Sequence, residues 1–229
     1  MQGSQASTYH LRRVALGQLE PSIPARYYYD PQHYVRELEV FWYGMWVLAG
    51  REEEVPEPRD YKVLKVGTQS IVVLRDLDGQ LRAFHNTCRH RGSILCTEEQ
   101  GRLPGRRLVC PYHTWTYSLD GQLRGTPDFA GVSNFDRAAN GLVPIPVATW
   151  EQFVFLRLDA EGPSVEEFLG DDLLAQFRAL GLAGFHFMER RRYAFECNWK
   201  VFVDNYLDGG YHIPCLHKGL NSVLDYSEY

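Results

Sequence analysis

The sequence predicts an α+β protein in which an antiparallel β region is flanked by helical segments. Three observations carry that prediction: short alternating runs crowd the middle of the chain, Asp-Gly pairs join several of them, and capped helix signals stand before and after.

Asp30–Pro31 supplies an N-cap residue and a proline at the first helical position, with Tyr34, Leu38 and Phe41 following at helical spacing; a helix is expected from about Pro31 to Glu39. From Tyr61 the pattern changes to β-type runs, Tyr61–Val66, Ser70–Arg75 and Gln80–His85, with Asp78–Gly79 as the turn between the last two. Thr114–Leu119 and Gln122–Arg124 repeat the device around Asp120–Gly121, and Phe153–Leu158 is a further alternating strand, so the β region runs to about residue 158. Ser164 then opens a capping box with Glu167, and Phe168, Leu173, Leu174 and Phe177 give the helix that follows, to about Leu180, an apolar face. A last amphipathic segment begins at Asn198, where Trp199, Phe202, Val203, Tyr206 and Leu207 share a stripe that Gly209–Gly210 weakens. Three parts result: a helical segment 1–40, a β domain 41–158, and a segment 159–229 that opens a second domain.

A net charge of −5 argues against a phosphate-backbone partner, and the runs Arg106–Arg107 and Arg190–Arg192 are too short to reverse this; no nucleic acid is expected. Met1 to Arg13 is polar and lacks the apolar centre of a secretory signal, which places the chain in the cytoplasm. The apolar run Phe41 to Gly50 is about half of the roughly 20 residues a bilayer requires, so no membrane span is expected. Five cysteines, an odd count in a long chain, read as metal ligands and buried thiols rather than as a disulfide framework.

Cys88-Arg-His90 and, after nineteen residues, Cys110-Pro-Tyr-His113 each put one thiol and one imidazole in a tight loop beside an expected strand. Two thiolates on one iron and two imidazoles on the other is the ligation of a Rieske [2Fe–2S] cluster. A structural zinc site is the competing reading, since Zn²⁺ also accepts two Cys and two His. Zinc modules usually pair Cys with Cys and His with His, whereas here each loop contributes one of each.

Downstream, His212 and His217 lie five residues apart. On a straight helix positions i and i+5 point about 140° apart, so convergence requires a break, which Pro214 and Gly209–Gly210 offer. Two histidines with one carboxylate form the facial triad of non-haem Fe(II) oxygenases. The plainer alternative is that either histidine caps a helix end or satisfies a core contact.

Cys88-Arg-His90-Arg-Gly92 with Cys110-Pro-Tyr-His113-Thr-Trp115 resembles the signature of Rieske non-haem iron oxygenases, with a gap lengthened by a surface loop at Gly101–Arg107. Asn198-Trp-Lys, Asp204-Asn205-Tyr, Asp208-Gly-Gly-Tyr-His212 and His217-Lys-Gly-Leu are similar to the choline monooxygenases and their bacterial relatives. The resemblance implies a Rieske domain inserted before a helix-grip-like α+β catalytic domain, with segment 1–40 packing on the latter. It implies that Cys88, His90, Cys110 and His113 bind the [2Fe–2S] cluster, that His212 and His217 bind a mononuclear Fe(II), and that Asp208 or Asp204 is the acid linking a neighbouring subunit's Rieske histidine to that iron. Tyr112 and Trp115 are then supports of the cluster; on residue chemistry alone either could be a core aromatic. A reductase or ferredoxin would donate electrons, O2 and a small organic substrate such as choline would react at the iron, and the full-length form would be a homotrimer. Relatives carry the third iron ligand well beyond the histidine pair; Asp225 and Glu228 do not match it, so the polypeptide is expected to be C-terminally truncated. An aromatic ring dioxygenase α subunit, a Rieske electron-transfer protein without oxygenase chemistry and a zinc-stapled module remain as other readings.

Overall fold

The computed structural model, which describes residues 21–207 and 212–224, builds the middle of the chain from three antiparallel sheets. One has the order β1 (Val47–Arg51), β10 (Phe153–Leu156), β9 (Val147–Trp150). The second runs β4 (Leu81–His85), β3 (Gln69–Arg75), β2 (Asp60–Val66), β5 (Gln100–Arg102), and the third β6 (Arg107–Val109), β7 (Thr116–Ser118), β8 (Leu123–Gly125). Strand β3 explains how they join. Its residues Ile71 to Leu74 are all buried, and the two-residue period of a strand sends Ile71 and Val73 into a core with Val154 and Leu156, Val72 and Leu74 into a core with Leu108, Tyr117 and Leu123. Each such buried aliphatic side chain contributes about 1.5–3 kcal/mol.

The β3–β4 turn contains Gly79 in a left-handed conformation, as Asp78–Gly79 predicts, but Asp76 holds it closed. Its carboxylate accepts from the Asp78 and Gln80 amides at 2.9 and 2.8 Å and pairs with Arg82 at 2.9 Å. Strand β9 is absent from the sequence reading because its hairpin to β10 uses Glu151 and Gln152 at positive φ, where glycine or asparagine is the usual signal. Gly101–Arg107 is not a plain surface loop: β5 pairs with β2 and β6 with β7. The helix expected over Pro31–Glu39 is α-helical only over Pro31–Glu37 and continues as a π-helix, Leu38–Tyr43.

The Ser164–Glu167 capping box forms, with the Ser164 hydroxyl accepting from the Glu167 amide at 3.2 Å and the Glu167 carboxylate accepting from the Ser164 amide at 2.8 Å. The helix it opens, Val165–Leu180, is kinked at Gly170 (φ 75°). Phe168 is therefore exposed, and Val165, Leu169, Leu174 and Phe177 face Trp150 and Phe155.

Three consecutive glutamates, Glu52–Glu54, form a 3-10 turn in which each acid meets a base. Glu52 pairs with Arg75, Glu53 with Arg51 and His186, and Glu54 with Lys62 (2.6 Å) and Arg190 (3.0 Å). Glu53 also accepts from the Phe187 amide, so the segment His186–Arg190 is strapped to the turn. His186 above all, then that amide, hold the Glu53 carboxyl down to about 2. A depressed carboxyl contributes stability above its unfolded value, near 4.5, and loses it as pH falls toward 2. The protection factors of the Phe187–Glu189 amides, exchange rates corrected for the intrinsic pH dependence, should therefore fall between about pH 4.5 and 2, and Glu53→Gln should be less protected above that window and match the wild type below it.

The chain divides into two units by its contacts, Val35–Arg190 and a second made of Met1–Tyr34 with Arg191–Tyr229. The second contains the short helix α1 (Arg26–Tyr29), and in its C-terminal part Trp199–Leu207, Ile213–Leu216 and Lys218–Asn221 are helical. No helix among the described residues is long and apolar enough to cross a membrane.

Candidate metal centre

The two Cys/His loops share one backbone frame. The Cys88 amide donates to Ser93 O at 2.8 Å and the Gly92 amide donates to Cys88 O at 3.0 Å; likewise the Cys110 amide donates to Trp115 O at 2.8 Å and the Thr114 amide to Cys110 O at 3.0 Å. In each, the fifth residue is left-handed, Gly92 at φ 73° and Thr114 at φ 55°. Glycine adopts that conformation freely, whereas threonine does so at a cost of about 1–3 kcal/mol that the surrounding hydrogen bonds must offset. Because the histidine is the third residue of the first frame and the fourth of the second, the two rings approach differently, with centroids 4.8 Å apart and planes at 70°. The first loop is tied down behind Cys88 by Asn86, fully buried, which accepts from the Cys96 amide at 2.9 Å and donates to Cys96 O at 2.8 Å.

Cys88 and Cys110 are buried and adjoin one another, while His90 is half-buried and His113 exposed. One end of the site is thus dry and sulfur-lined, the other imidazole-lined and open to solvent. Burial pushes the Cys88 thiol up; at Cys110 burial acts the same way but the Tyr112 and His113 amides outweigh it. Burial, then the neighbouring His113, lowers His90, which keeps its imidazole neutral. Among the described residues, His90 Nδ1 is the buried side-chain nitrogen left without a hydrogen-bond partner. Such an orphan costs free energy unless something binds it, so the donor set of two thiols and two imidazoles fits a metal group.

Trp115 stacks on His90 at 4.8 Å, with Phe129 and Phe135 edge-on to its far side. Tyr112 is exposed rather than a core aromatic and lies against His113, ring centroids 3.7 Å apart. The sequence reading missed Tyr117, the inward residue of β7. Its hydroxyl accepts from the Arg89 amide at 3.0 Å and lies 3.3 Å from Cys88 Sγ, so its own proton is directed at the sulfur. Burial, then Cys88, raises its pKa, which keeps that proton in place.

In the C-terminal part, helix Trp199–Leu207 carries Asp204, and the short helices Ile213–Leu216 and Lys218–Asn221 flank His217. The helix Ile213–Leu216 carries Pro214 harmlessly in its first turn and ends at His217 (φ −114°, ψ 65°), while Gly209–Gly210, the other break expected, lies outside the described residues. The change of direction brings the His212 and His217 rings to 5.1 Å, close enough to share an ion. Asp204 accepts from the Tyr28 hydroxyl at 2.5 Å. Asp208 lies outside the described residues, and among those described no three or more His, Cys, Asp or Glu converge on one ion; two thiols on one iron and two imidazoles on the other require no such convergence.

Residues 45–136 match the family of the Rieske [2Fe-2S] domain, and residues 182–228 match that of the ring hydroxylating alpha subunit (catalytic domain). The chain carries a Rieske domain. This Rieske chain is 41% identical over 218 residues to a chloroplastic choline monooxygenase of Arabidopsis thaliana, covering 90% of itself and 50% of that protein. It is 35% identical over 213 residues to the glycine betaine monooxygenase oxygenase subunit of Chromohalobacter salexigens, covering 90% and 46%. Among solved structures, the quaternary ammonium Rieske monooxygenase in complex with L-carnitine superposes with TM-score 0.81 at 32% identity, over 88% of this chain and 57% of that one. The chain thus spans about half the length of the curated relatives it matches. The two matched domains imply a [2Fe–2S] cluster and a mononuclear non-haem iron.

With Cys88 as a cluster ligand, as proposed below, the Tyr117 hydrogen bond is expected to tune the cluster. A bond to sulfur favours the more negative, reduced state; a difference of about 1 kcal/mol is roughly 40 mV for one electron. Tyr117→Phe is expected to lower the midpoint by that amount in an EPR-monitored redox titration, and an unchanged midpoint would show that the hydroxyl does not act on the sulfur.

Proposed function

We propose that the chain is the metal-bearing part of a Rieske oxygenase acting on a small quaternary ammonium compound, with Cys88, His90, Cys110 and His113 holding the [2Fe–2S] cluster and His212 and His217 holding the mononuclear iron. The pair of matched loops, with buried thiols at one end and an unpartnered imidazole nitrogen at the other, is the observation that carries this reading. When bound, the cluster supplies one-electron transfer and the iron supplies O2 activation for hydroxylation of a C–H bond.

The chain's own residues prepare both places. The Gly92 and Thr114 turns aim two imidazoles at one point, Trp115 and the Phe129–Phe135 pair exclude water from one side of His90, and Tyr117 holds a proton against Cys88. The break at His217 turns two histidines toward each other. The domain limits 41–158 and 159–229, a carboxylate third ligand from outside the described residues, a reductase or ferredoxin donor and a homotrimer with electron transfer across subunits belong to the same proposal. The quaternary ammonium substrate follows what the relatives are named for acting on or binding: choline, glycine betaine and L-carnitine. An aromatic cage for such a cation would gain about 0.5–2 kcal/mol per ring.

Iron and acid-labile sulfide measured after anaerobic purification with Fe(II) test the metal reading. About two sulfides and about three irons per chain are expected, two of the irons belonging to the cluster; zinc without sulfide overturns it, and two irons with two sulfides removes the mononuclear site. Substrate-dependent O2 uptake by the whole protein with choline, glycine betaine and carnitine, against naphthalene, tests the substrate class.

A further inference from the structure

Asp204 has a partner that gives it work other than linking two metal sites. The helix Trp199–Leu207, here α4, presents Lys200 and Asp204 one turn apart, and both meet Tyr28 of α1. Tyr28 OH donates to Asp204 Oδ2 at 2.5 Å, and Lys200 Nζ lies 5.8 Å from the Tyr28 ring centroid and 5.1 Å from that of Trp199. Lys200 is buried, and cation–π contacts are stronger when desolvated. An exposed hydrogen bond alone holds little, but a charge-assisted one beside a desolvated cation–π contact joins two segments separated by 176 positions at one spot. The sequence leaves α4 at Leu207 and reaches His212 five positions later.

We propose that Tyr28, Lys200 and Asp204 form a latch that fixes α4 and thereby positions His212 and His217, with Asp204 a positioning residue rather than the acid between the metal sites. The latch rests on the reading of the histidine pair as the iron site.

Co(II) is the probe: added to cluster-loaded full chain with the cluster oxidised and EPR-silent, it reports the histidine pair by its own high-spin signal. Tyr28→Phe and Asp204→Leu should each weaken Co(II) binding by about five-fold, the effect of one hydrogen bond, and broaden the signal, with the cluster absorbance kept. Asp204→Asn retains an oxygen that accepts from Tyr28 and should stay near the wild type. Unchanged Co(II) binding in Tyr28→Phe and Asp204→Leu, with binding abolished in His217→Ala, overturns the latch and leaves the site standing. Binding that survives His217→Ala overturns both. Should Tyr28→Phe lose the cluster absorbance and so misfold, the comparison of Asp204→Leu with Asp204→Asn decides from the other end of the bond: loss in the first and retention in the second supports the latch, and equal loss in both overturns it.

Discussion

Cys110→Ser is expected to yield a colourless protein without acid-labile sulfide, whereas Cys96→Ala keeps both. Both cysteines are buried in the same core, so burial does not separate them. Their surroundings do. The Cys110 thiol sits among the Tyr112 and His113 amides, which favour the thiolate a metal needs, and beside Cys88. Cys96 has only burial acting on it, which pushes its pKa up to about 11 and leaves an inert thiol. In the proposed cluster site, serine at 110 replaces a soft thiolate by a hard hydroxyl. Cluster binding is also folding free energy, so the melting temperature of Cys110→Ser should fall and cease to respond to iron supply. Visible absorbance and sulfide content measure the first effect, calorimetry the second. Sulfide retained in Cys110→Ser would remove this residue from the ligand set.

Glu54→Ala should cost about 3–5 kcal/mol, the usual penalty for leaving a buried charge without its partner, which is a fall of roughly 10 °C or more in Tm for a domain of this size. The Glu54 and Lys62 side chains are only 5% and 10% exposed and 2.6 Å apart, and Lys62 also donates to Ala49 O at 3.0 Å. Burial lowers the Lys62 pKa and Glu54 opposes that shift, so the carboxylate is what keeps the ammonium charged in an apolar surround. Arg190 loses its carboxylate in the same substitution, which should free the His186–Arg190 strap and raise its hydrogen exchange. A Glu54→Leu/Lys62→Met double variant, apolar at both positions, is expected to regain most of the stability but not the protection of the strap. A double variant as unstable as Glu54→Ala would show that packing rather than the orphaned charge sets the cost.

The chemistry was legible in the sequence because it depends on residue type and short spacing. Cys-x-His and Cys-x-x-His loops, and a histidine pair five residues apart, offer their donor atoms to view without a fold. The same holds for strands β2, β3 and β4, whose alternation is regular, and for the Ser164 capping box, which is closed within four residues. What the sequence concealed depends on partners far away in the chain or on backbone states that residue type does not announce. Strand β9 turns on Glu151 and Gln152 at positive φ, the Val165–Leu180 helix is kinked at its single glycine, Gly170, and the short helix after His212 ends at His217 rather than at the proline within it. Tyr117 reads as an ordinary strand tyrosine until the pairing of β6 with β7 and the turn at Cys88 bring its hydroxyl to a sulfur 29 positions away. Asp204 reads as the second of two candidate acids, after Asp208, and the sequence does not show Tyr28 against it. Local propensity and ligand type are written residue by residue, whereas hydrogen bonds between distant groups exist only after burial has chosen which side chains face each other.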